Sequence, residues 1–345
     1  MNVLILGLGR ILSKHLNSIN CFNDKKIKIV GICDSDKKKL EKIRKITNVD
    51  AFTSYAKALK VTKPDTVIIL TPSGYHAEHI SYAIKKNCNV IVEKPMCLKI
   101  KDAEKILSLS KKYKKRVFVV MQNKFNLPVM KLRDDIKKNK FGKIFHASVI
   151  VRWKRDQYYY NQAKWRGTWK LDGGVVSNQA SHHLDLLRTI MGEPVSVFAK
   201  SQSHLAKIEC EDTALIIFKF KGGKTAIMEA TTAMRPKNIE GSISVLGKLG
   251  SAKVGGFALN EFSYYNLRKK IDLSKFKTSP NSVYGFGHYS FYQHVLSSIL
   301  KKKKSEFEVL EAIKTIKLIN AIYRSIEIGK EVFFNKNIKS IKLGK

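Results

Sequence analysis

Short apolar runs alternate with helical patterns along the first part of the chain, and this alternation constrains the fold more than any other feature. The runs are residues 3–6, 27–33, 66–70, 89–92 and 117–121. Strands that alternate with helices form a parallel, doubly wound sheet, in which ligands bind at the carboxyl ends of the strands. We therefore expect an α/β domain whose site residues directly follow its strands.

A glycine pattern follows the first run, where Gly7 and Gly9 stand between a strand and the start of a helix. Such glycines permit a tight turn and the approach of a pyrophosphate to the helix N-terminus, although Leu12 occupies the third position of the pattern. Asp34 ends the second run, where an acidic residue accepts hydrogen bonds from ribose hydroxyls and repels a 2′-phosphate. This favours NAD over NADP, the alternative being that Asp34 caps a helix over residues 36–45.

Polar residues follow the later strands at the same predicted edge of the sheet. Lys94 stands between an apolar strand and Pro95, so it would place a fixed positive charge beside a nicotinamide and a reacting hydroxyl. The alternative is an exposed lysine in a lysine-rich chain. The residues predicted to bind the cofactor are Gly7, Gly9, Arg10, Ile11, Asp34, Thr71, Pro72, His76, Glu93, Lys94, Gln122 and Asn123.

A second feature is the stretch over residues 165–187, in which a break at Gly173 and Gly174 precedes a helix predicted to begin near Val175. Residues four apart share one face of a helix, so Asn178 and His182 are expected to point the same way, with Asp185 three residues further on. Histidine is the usual base near neutral pH. The alternative is a surface helix with two adjacent histidines.

The pattern changes after about residue 125. Residues 143–152, 194–203, 212–221, 224–232 and 239–247 alternate apolar and polar side chains, which predicts an open, mostly antiparallel sheet with one covered face. A closing helix is predicted over residues 309–328. We expect a first domain over residues 1–124 and a second over residues 125–345, with the closing helix packing back on the first.

Composition limits the classes of function. The 345 residues contain 65 basic and 28 acidic side chains, giving a formal net charge of +37. The lysines are spread over almost every predicted helix, which is typical of a solvated surface rather than of specific nucleic-acid binding. The five cysteines lack metal-binding spacing, so we expect a reducing, cytoplasmic location and no metal. No apolar run is long enough for membrane insertion.

Taken together, these motifs resemble the Gfo/Idh/MocA oxidoreductases, NAD(P)-dependent enzymes that act on sugars and polyols. The resemblance rests on Gly7 and Gly9 with His15, on Asp34, on Glu93-Lys94-Pro95 and on Asn178-x-x-x-His182-x-x-Asp185. It implies an N-terminal Rossmann domain and a C-terminal α+β domain that associates with other copies through its open sheet, as a dimer or tetramer. A typical member has Asp where this chain has Asn178.

The chain resembles one subgroup of this family, the UDP-N-acetylglucosaminuronate 3-dehydrogenases of bacterial surface-polysaccharide and lipopolysaccharide pathways. This resemblance rests on Asn178 and on the segments over residues 152–174 and 283–288. The resemblance implies Lys94, Asn178 and His182 as the catalytic group. The residues expected to contact the substrate are Lys94, Lys124, Arg152, Arg155, Arg166, Lys170, Asn178, Gln179, His182 and Tyr284. Two alternatives stay open: another sugar or polyol dehydrogenase of inositol type, and a non-catalytic protein that binds NAD or polyanions.

Overall fold

The computed structural model describes residues 1–22, 26–268 and 270–345. The chain divides into two compact units. The first contains Met1–Cys97, Lys101–Met121 and His288–Ile313, and the second contains Leu98–Ile100, Gln122–Gly287 and Lys314–Lys345. The expected division into a first domain over residues 1–124 and a second over residues 125–345 stays a prediction.

The first unit is built on a parallel sheet. Its elements up to residue 121 are β1 (Asn2–Leu6), α1 (Leu12–Asn20), β2 (Lys28–Cys33), α2 (Lys37–Thr47), β3 (Ala51–Phe52), α3 (Tyr55–Thr62), β4 (Thr66–Ile69), α4 (His76–Lys85), β5 (Asn89–Val92), α5 (Ile100–Tyr113) and β6 (Val117–Val119). Among the described residues the strand order is β3-β2-β1-β4-β5-β6. All neighbouring strands are parallel, which confirms the doubly wound prediction.

The central strands of this sheet have apolar residues on both faces. Ile5, Ile68 and Ile91, on β1, β4 and β5, are completely buried, as expected for parallel strands that helices cover on both sides. The strand order reverses between β1 and β4, and in sheets of this kind ligands bind outside the carboxyl ends at that point. Residues that follow β1, β2, β4 and β5 therefore lie along one edge.

The remaining elements in chain order are α6 (Leu127–Lys137), β7 (Ile144–Arg152), α7 (Gln157–Asn161), α8 (Ser181–Met191), β8 (Pro194–Gln202), β9 (Thr213–Phe220), β10 (Thr225–Thr231), β11 (Glu240–Gly247), β12 (Gly250–Gly255), β13 (Glu261–Asn266), α9 (His288–Leu300), α10 (Val309–Ile328) and β14 (Val332–Phe333). Helix α9 belongs to the first unit. The predicted closing helix coincides with α10, and Gly329 follows it with a φ of 66°.

The second unit contains a sheet of order β13-β12-β11-β7-β10-β9-β8-β14 among the described residues. Only β7 and β10 run parallel there, and all the other neighbours are antiparallel. The open, mostly antiparallel sheet is thus confirmed. The periodicity did not predict β12, β13, the two-residue β14 or the equally short β3 of the first unit.

One face of this second sheet forms the core of its unit. On β9, Ala214, Ile216 and Phe218 are buried, whereas Leu215 and Ile217 point to the other face and are more than half exposed. The buried face packs with apolar residues of α8 and α10 in a single hydrophobic cluster. Within the described part of the chain, no helix is long and apolar enough to cross a membrane.

Candidate active site

The turn after β1 is shaped for the close approach of a ligand. Gly7 has a φ of 93°, and a Cβ atom there would lie 2.8 Å from the carbonyl carbon of Leu70. Glycine alone tolerates that conformation together with that contact. A Cβ atom at Gly9 would meet nothing within 4 Å, so the backbone faces open space. With Arg10 and Ile11 leading into α1, the turn fits a dinucleotide pyrophosphate.

Asp34 holds this turn from the end of β2. Its Oδ2 accepts a hydrogen bond from the backbone N–H of Leu8 at 2.7 Å, and its Oδ1 accepts one from Asp36 at 2.9 Å. The N-cap of α2 is Asp36, whose side chain accepts bonds from the backbone of Lys38 and Lys39. The alternative in which Asp34 caps this helix is therefore wrong. Its contact with a ribose stays a prediction.

His76 joins the ends of two strands from a buried position. Its Nδ1 lies 2.8 Å from the carbonyl oxygen of Pro95, and its Nε2 lies 2.7 Å from that of Thr71. The ring is 1% exposed. We infer that His76 braces the segment of Thr71 and Pro72 against the turn that carries Lys94, and both of its ring nitrogens are engaged in that role.

A buried polar network fixes the end of β5. His15 Nε2 lies 3.0 Å from Glu93 Oε1, and His15 Nδ1 lies 2.6 Å from the Tyr292 hydroxyl. Burial alone would raise the pKa of Glu93, but the hydrogen bond and charge of His15 outweigh it and lower this pKa to about 2. Glu93 Oε2 also accepts a hydrogen bond from the backbone N–H of Lys94 at 3.2 Å. The ionised carboxylate therefore anchors the backbone of the predicted catalytic lysine.

The same network brings possible metal ligands together. One ligand atom each of His15, Glu93 and His288 lies within 4.8 Å of the others. The hydrogen bonds of His15 and the edge-on stacking of its ring on His288, with centroids 5.4 Å apart, account for this cluster without an ion. The absence of a metal stays a prediction.

The segment before α8 is a series of turns. The helix begins at Ser181, so the prediction of a start near Val175 is wrong. The backbone N–H of Ala180 donates to the carbonyl oxygen of Val175 at 2.8 Å, five residues back, which departs from the α-helical pattern of four. Glu211 holds this segment by accepting the backbone N–H groups of Val175 and Val176 at 3.0 and 3.1 Å. Asn178 consequently lies in a turn, not on the helix face that it was expected to share with His182.

His182 lies in the first turn of α8 and is 8% exposed. Its Nε2 is 3.5 Å from Nε2 of Gln122, which begins a short 3₁₀ helix with Asn123 and Lys124. The structure thus brings together a residue predicted for the cofactor and the predicted base.

The neighbouring His183 has a different environment. It is fully buried, and its ring centroid lies 5.5 Å from that of Trp153 on the strand side of the unit. Burial lowers the pKa of His183 to about 3. A Cβ atom at Gly241 would lie 3.2 Å from its Nε2, so the ring fills a space that depends on that glycine. His183 therefore faces the packed interior of the unit.

Lys124 belongs to a buried ion pair. Its Nζ lies 2.7 Å from Asp185 Oδ2, and both side chains are about 5% exposed. Arg188 lies 3.3 Å from the other oxygen of this carboxylate. Burial would raise the pKa of Asp185, but the charges of Lys124 and Arg188 outweigh it and hold this pKa well below its usual range. The predicted substrate contact of Lys124 stays a prediction beside this internal role.

The predicted basic and aromatic side chains are in contact. The Tyr159 ring lies under two guanidinium groups, with its centroid 5.1 Å from Arg155 and 4.2 Å from Arg166. Arg152 instead forms two hydrogen bonds with Glu229, at 2.6 and 2.7 Å. Stacking on a ring leaves guanidinium edges able to bind an anion, whereas the bidentate pair of Arg152 already occupies two of its donors.

The other predicted substrate residues differ in exposure. Lys170 is exposed and Tyr284 is half-buried. Gln179 is 4% exposed, and neither atom of its side-chain amide has a hydrogen-bond partner among the described residues. A buried amide without partners is costly, so Gln179 is suited to bind a polar group that the described residues do not supply.

The sequence analysis missed three residues that support the turn before α8. The Tyr323 hydroxyl accepts hydrogen bonds from the backbone of Gly174 and donates to Glu211 at 2.9 Å. Asp172 Oδ1 accepts a hydrogen bond from Asn178 Nδ2 at 2.5 Å. Glu211 and Tyr323 are distant in sequence from the turn, and no motif marks them. The sequence could have pointed to Asp172 only through its position directly before Gly173 in the motif.

Two family profiles match most of the chain. The profile described as an oxidoreductase family with an NAD-binding Rossmann fold matches residues 1–121, and the profile of the C-terminal alpha/beta domain of the same family matches residues 133–333. A myo-inositol 2-dehydrogenase of Thermotoga maritima is 23% identical over 66% of this chain and 68% of its own length. The alignments with three curated relatives span 42%, 68% and 56% of those proteins.

Two solved structures resemble the chain over almost its whole length. The WlbA dehydrogenase from Bordetella pertussis, in complex with NADH and UDP-GlcNAcA, has a TM-score of 0.92 and 31% identity, covering 96% of this chain and 97% of that one. The WlbA enzyme from Chromobacterium violaceum, with the same two ligands, has a TM-score of 0.90 and 33% identity, covering 96% and 95%.

Proposed function

Because the chain belongs to the Gfo/Idh/MocA oxidoreductase family and carries that family's NAD-binding Rossmann domain, we propose that it oxidises the 3-hydroxyl of UDP-N-acetylglucosaminuronate (UDP-GlcNAcA). The observation that carries the proposal is the similarity, over nearly the whole chain, to two dehydrogenases crystallised with NADH and this sugar. Such an enzyme would serve the synthesis of bacterial surface polysaccharide or lipopolysaccharide in the cytoplasm.

The oxidation of a secondary alcohol needs a group that removes the hydroxyl proton while a hydride leaves the carbon. Bound NAD would supply the hydride acceptor. His182 is the base in this proposal, because an imidazole is the usual base near neutral pH. The ammonium of Lys94 would stabilise the developing alkoxide. Asn178 would bind the hydroxyl without competing for its proton.

The dinucleotide would be held by the predicted residues of the first unit. Gly7 and Gly9 leave room for the pyrophosphate, and Asp34 would accept hydrogen bonds from the adenosine ribose. A UDP-sugar acid carries a diphosphate and a carboxylate, so it requires cations. Arg155 and Arg166, which stack on Tyr159, are suited to such anions because their planar edges bind oxygens in pairs.

The proposal includes a homo-oligomer formed through the open face of the second sheet. Leu215, Ile217 and Ile227 are 58%, 51% and 49% exposed, and Ile217 and Ile227 are direct register partners on adjacent strands. Contiguous apolar side chains on a sheet face are typical of a surface that another subunit covers. This supports association of the chain with further copies of itself.

The test is a comparison of three substrates with NAD: UDP-GlcNAcA, UDP-N-acetylglucosamine and myo-inositol. The proposal predicts NADH formation with the first and little with the others, because only the first carries the carboxylate. Equal turnover of the two UDP-sugars would contradict recognition of the carboxylate. Faster oxidation of myo-inositol would favour the second candidate, which the similarity to the Thermotoga enzyme supports.

A further inference from the structure

A single buried carboxylate connects the loop after Arg166 to the turn that carries Asn178. Asp172 is 2% exposed. Its Oδ2 accepts a hydrogen bond from the backbone N–H of Gly167 at 2.8 Å, and its Oδ1 accepts one from Asn178 Nδ2 at 2.5 Å. The Ser177 hydroxyl donates to the carbonyl oxygen of Asp172 at 2.9 Å. The loop and the turn therefore share one anchor.

The chemistry of this pair determines how the Asn178 amide is oriented. An ionised carboxylate only accepts hydrogen bonds, so it selects the NH₂ group of the amide and not the carbonyl oxygen. The amide nitrogen consequently points to Asp172, and Oδ1 lies on the opposite side of the amide group. Hydrogen bonds to a charged acceptor are short and about twice as strong as neutral ones, so the orientation is firmly held.

We propose that Asp172 is a positioning residue, which orients the Asn178 amide beside the substrate hydroxyl and which requires a hydrogen-bond donor at position 178. The role toward the hydroxyl rests on the proposed function. The requirement for a donor does not, because it follows from the contact between the two side chains alone.

The surroundings make a second carboxylate at position 178 unfavourable. Burial and, to a smaller extent, the negative charge of Asp172 raise the pKa of Glu211 to about 7. Burial and the Asp172 charge also raise the pKa values of Tyr160 and Cys210. Another negative charge at this buried site would add to those of Asp172 and Glu211, and the charge of Lys342, which lowers the pKa of Cys210, acts in the opposite direction. A carboxylate at 178 within hydrogen-bond distance of Asp172 would therefore have to retain a proton.

The first test measures the thermal stability of the protein without substrate. Asn178→Asp should match the wild type near pH 5, where the two carboxyls share a proton, and its Tm should fall well below that of the wild type by pH 8. In the exchange variant Asp172→Asn/Asn178→Asp, an amide again faces a carboxylate, so the Tm at pH 8 should recover by at least half of the loss. The Tm of the wild type at each pH is the reference, because Glu211 titrates in the wild type and in both variants.

Two outcomes would overturn the requirement for a donor. One is an Asn178→Asp protein whose Tm follows the wild-type pH dependence, and the other is an exchange variant that is no more stable at pH 8 than Asn178→Asp. Neither measurement involves a sugar, so both remain decisive if the proposed function is wrong.

The second test concerns the orientation of Asn178 during turnover. Asp172→Asn should lower kcat for UDP-GlcNAcA by about 10²-fold, the usual effect of a small misplacement at a reacting centre, while KM changes less. NADH binding, measured by fluorescence, should stay at the wild-type value. The exchange variant should regain most of the lost kcat. A folded Asp172→Asn protein with wild-type kcat would overturn the positioning role, whereas a wild type inactive on UDP-GlcNAcA would overturn the proposed function.

Discussion

The carboxyl oxygens of Glu211 lie 2.3 Å from the position that a Cβ atom would occupy at residue 174. A side chain at residue 174 would displace this carboxyl group, so the glycine lets Glu211 keep its present position. The contact lets Glu211 reach beneath the turn, where it accepts hydrogen bonds from Val176 and Tyr323. The second glycine of the motif over residues 165–187 thus accommodates a side chain of this chain rather than a ligand.

The pH dependence of stability should reveal the buried Glu211 carboxyl. Burial raises its pKa to about 7, above the value of about 4.3 expected in the unfolded chain. The folded state therefore binds an extra proton between these values, and the free energy of unfolding falls as pH rises through this window. Glu211→Gln should remove this fall, amounting to about 3 kcal/mol. Urea denaturation of both proteins at pH 5 and pH 8 measures it, and an equal pH dependence in the two would contradict the assignment.

The cofactor preference should depend on Asp34. Its carboxylate lies at the end of β2, where it would repel the extra phosphate of NADP, so the wild type should bind NAD more tightly than NADP. Asp34→Asn should narrow this difference, because it removes the charge and keeps the size. Calorimetric titration with both dinucleotides is the measurement. Asp36→Asn is the control, since Asp36 caps α2 and should leave the preference unchanged. Tighter binding of NADP by the wild type would refute the assignment.

The apolar face of the second sheet should determine the oligomeric state. Ile217→Lys/Ile227→Lys places two charges on register partners, so the variant should shift to the monomer mass in light scattering after size-exclusion chromatography. Ile46→Lys is the control because Ile46, on α2, is 66% exposed and lies outside this sheet. A monomeric wild type, or a double variant with an unchanged mass, would show that the face is not an interface.

Substitution of the two adjacent histidines should have different effects on kcat. His182→Asn should lower kcat by about 10²–10⁴-fold, the usual contribution of a general base, with a smaller change in KM. His183→Asn should mainly lower the Tm, since His183 is fully buried against Trp153. Lys94→Ala should also lower kcat, and its effect should be less than additive with that of His182→Asn if both act on one hydroxyl. The reverse order for the two histidines would identify His183 as the base.

The parallel sheet could be predicted from the sequence because its strands are apolar on both faces and end in polar residues. Strands β7 to β11 of the second sheet were predictable from their alternation, down to the exposed Ile217 between the buried Ile216 and Phe218. The two-residue β3 and β14 carry too few positions for a period to show. A repeating apolar pattern can be recognised only in an element that is long enough to contain several repeats.

The candidate site was less predictable because its supports come from distant parts of the chain. The helix was predicted to begin six residues too early, because the sequence does not show that Glu211 holds the backbone of Val175 and Val176 in a turn. The ion pair of Lys124 with Asp185, 61 positions further along the chain, was likewise not predicted. Hydrogen bonds and ion pairs between segments far apart in sequence leave no periodic signal.

The central claim is that this chain removes the hydrogen at C3 of UDP-GlcNAcA. The most direct measurement uses UDP-GlcNAcA that carries deuterium only at C3, incubated with the protein and NAD, followed by mass spectrometry of the nucleotide and the sugar. Our account predicts deuterated NADH and a keto sugar that has lost its deuterium. Unlabelled NADH, with the deuterium retained on an oxidised sugar, would contradict it.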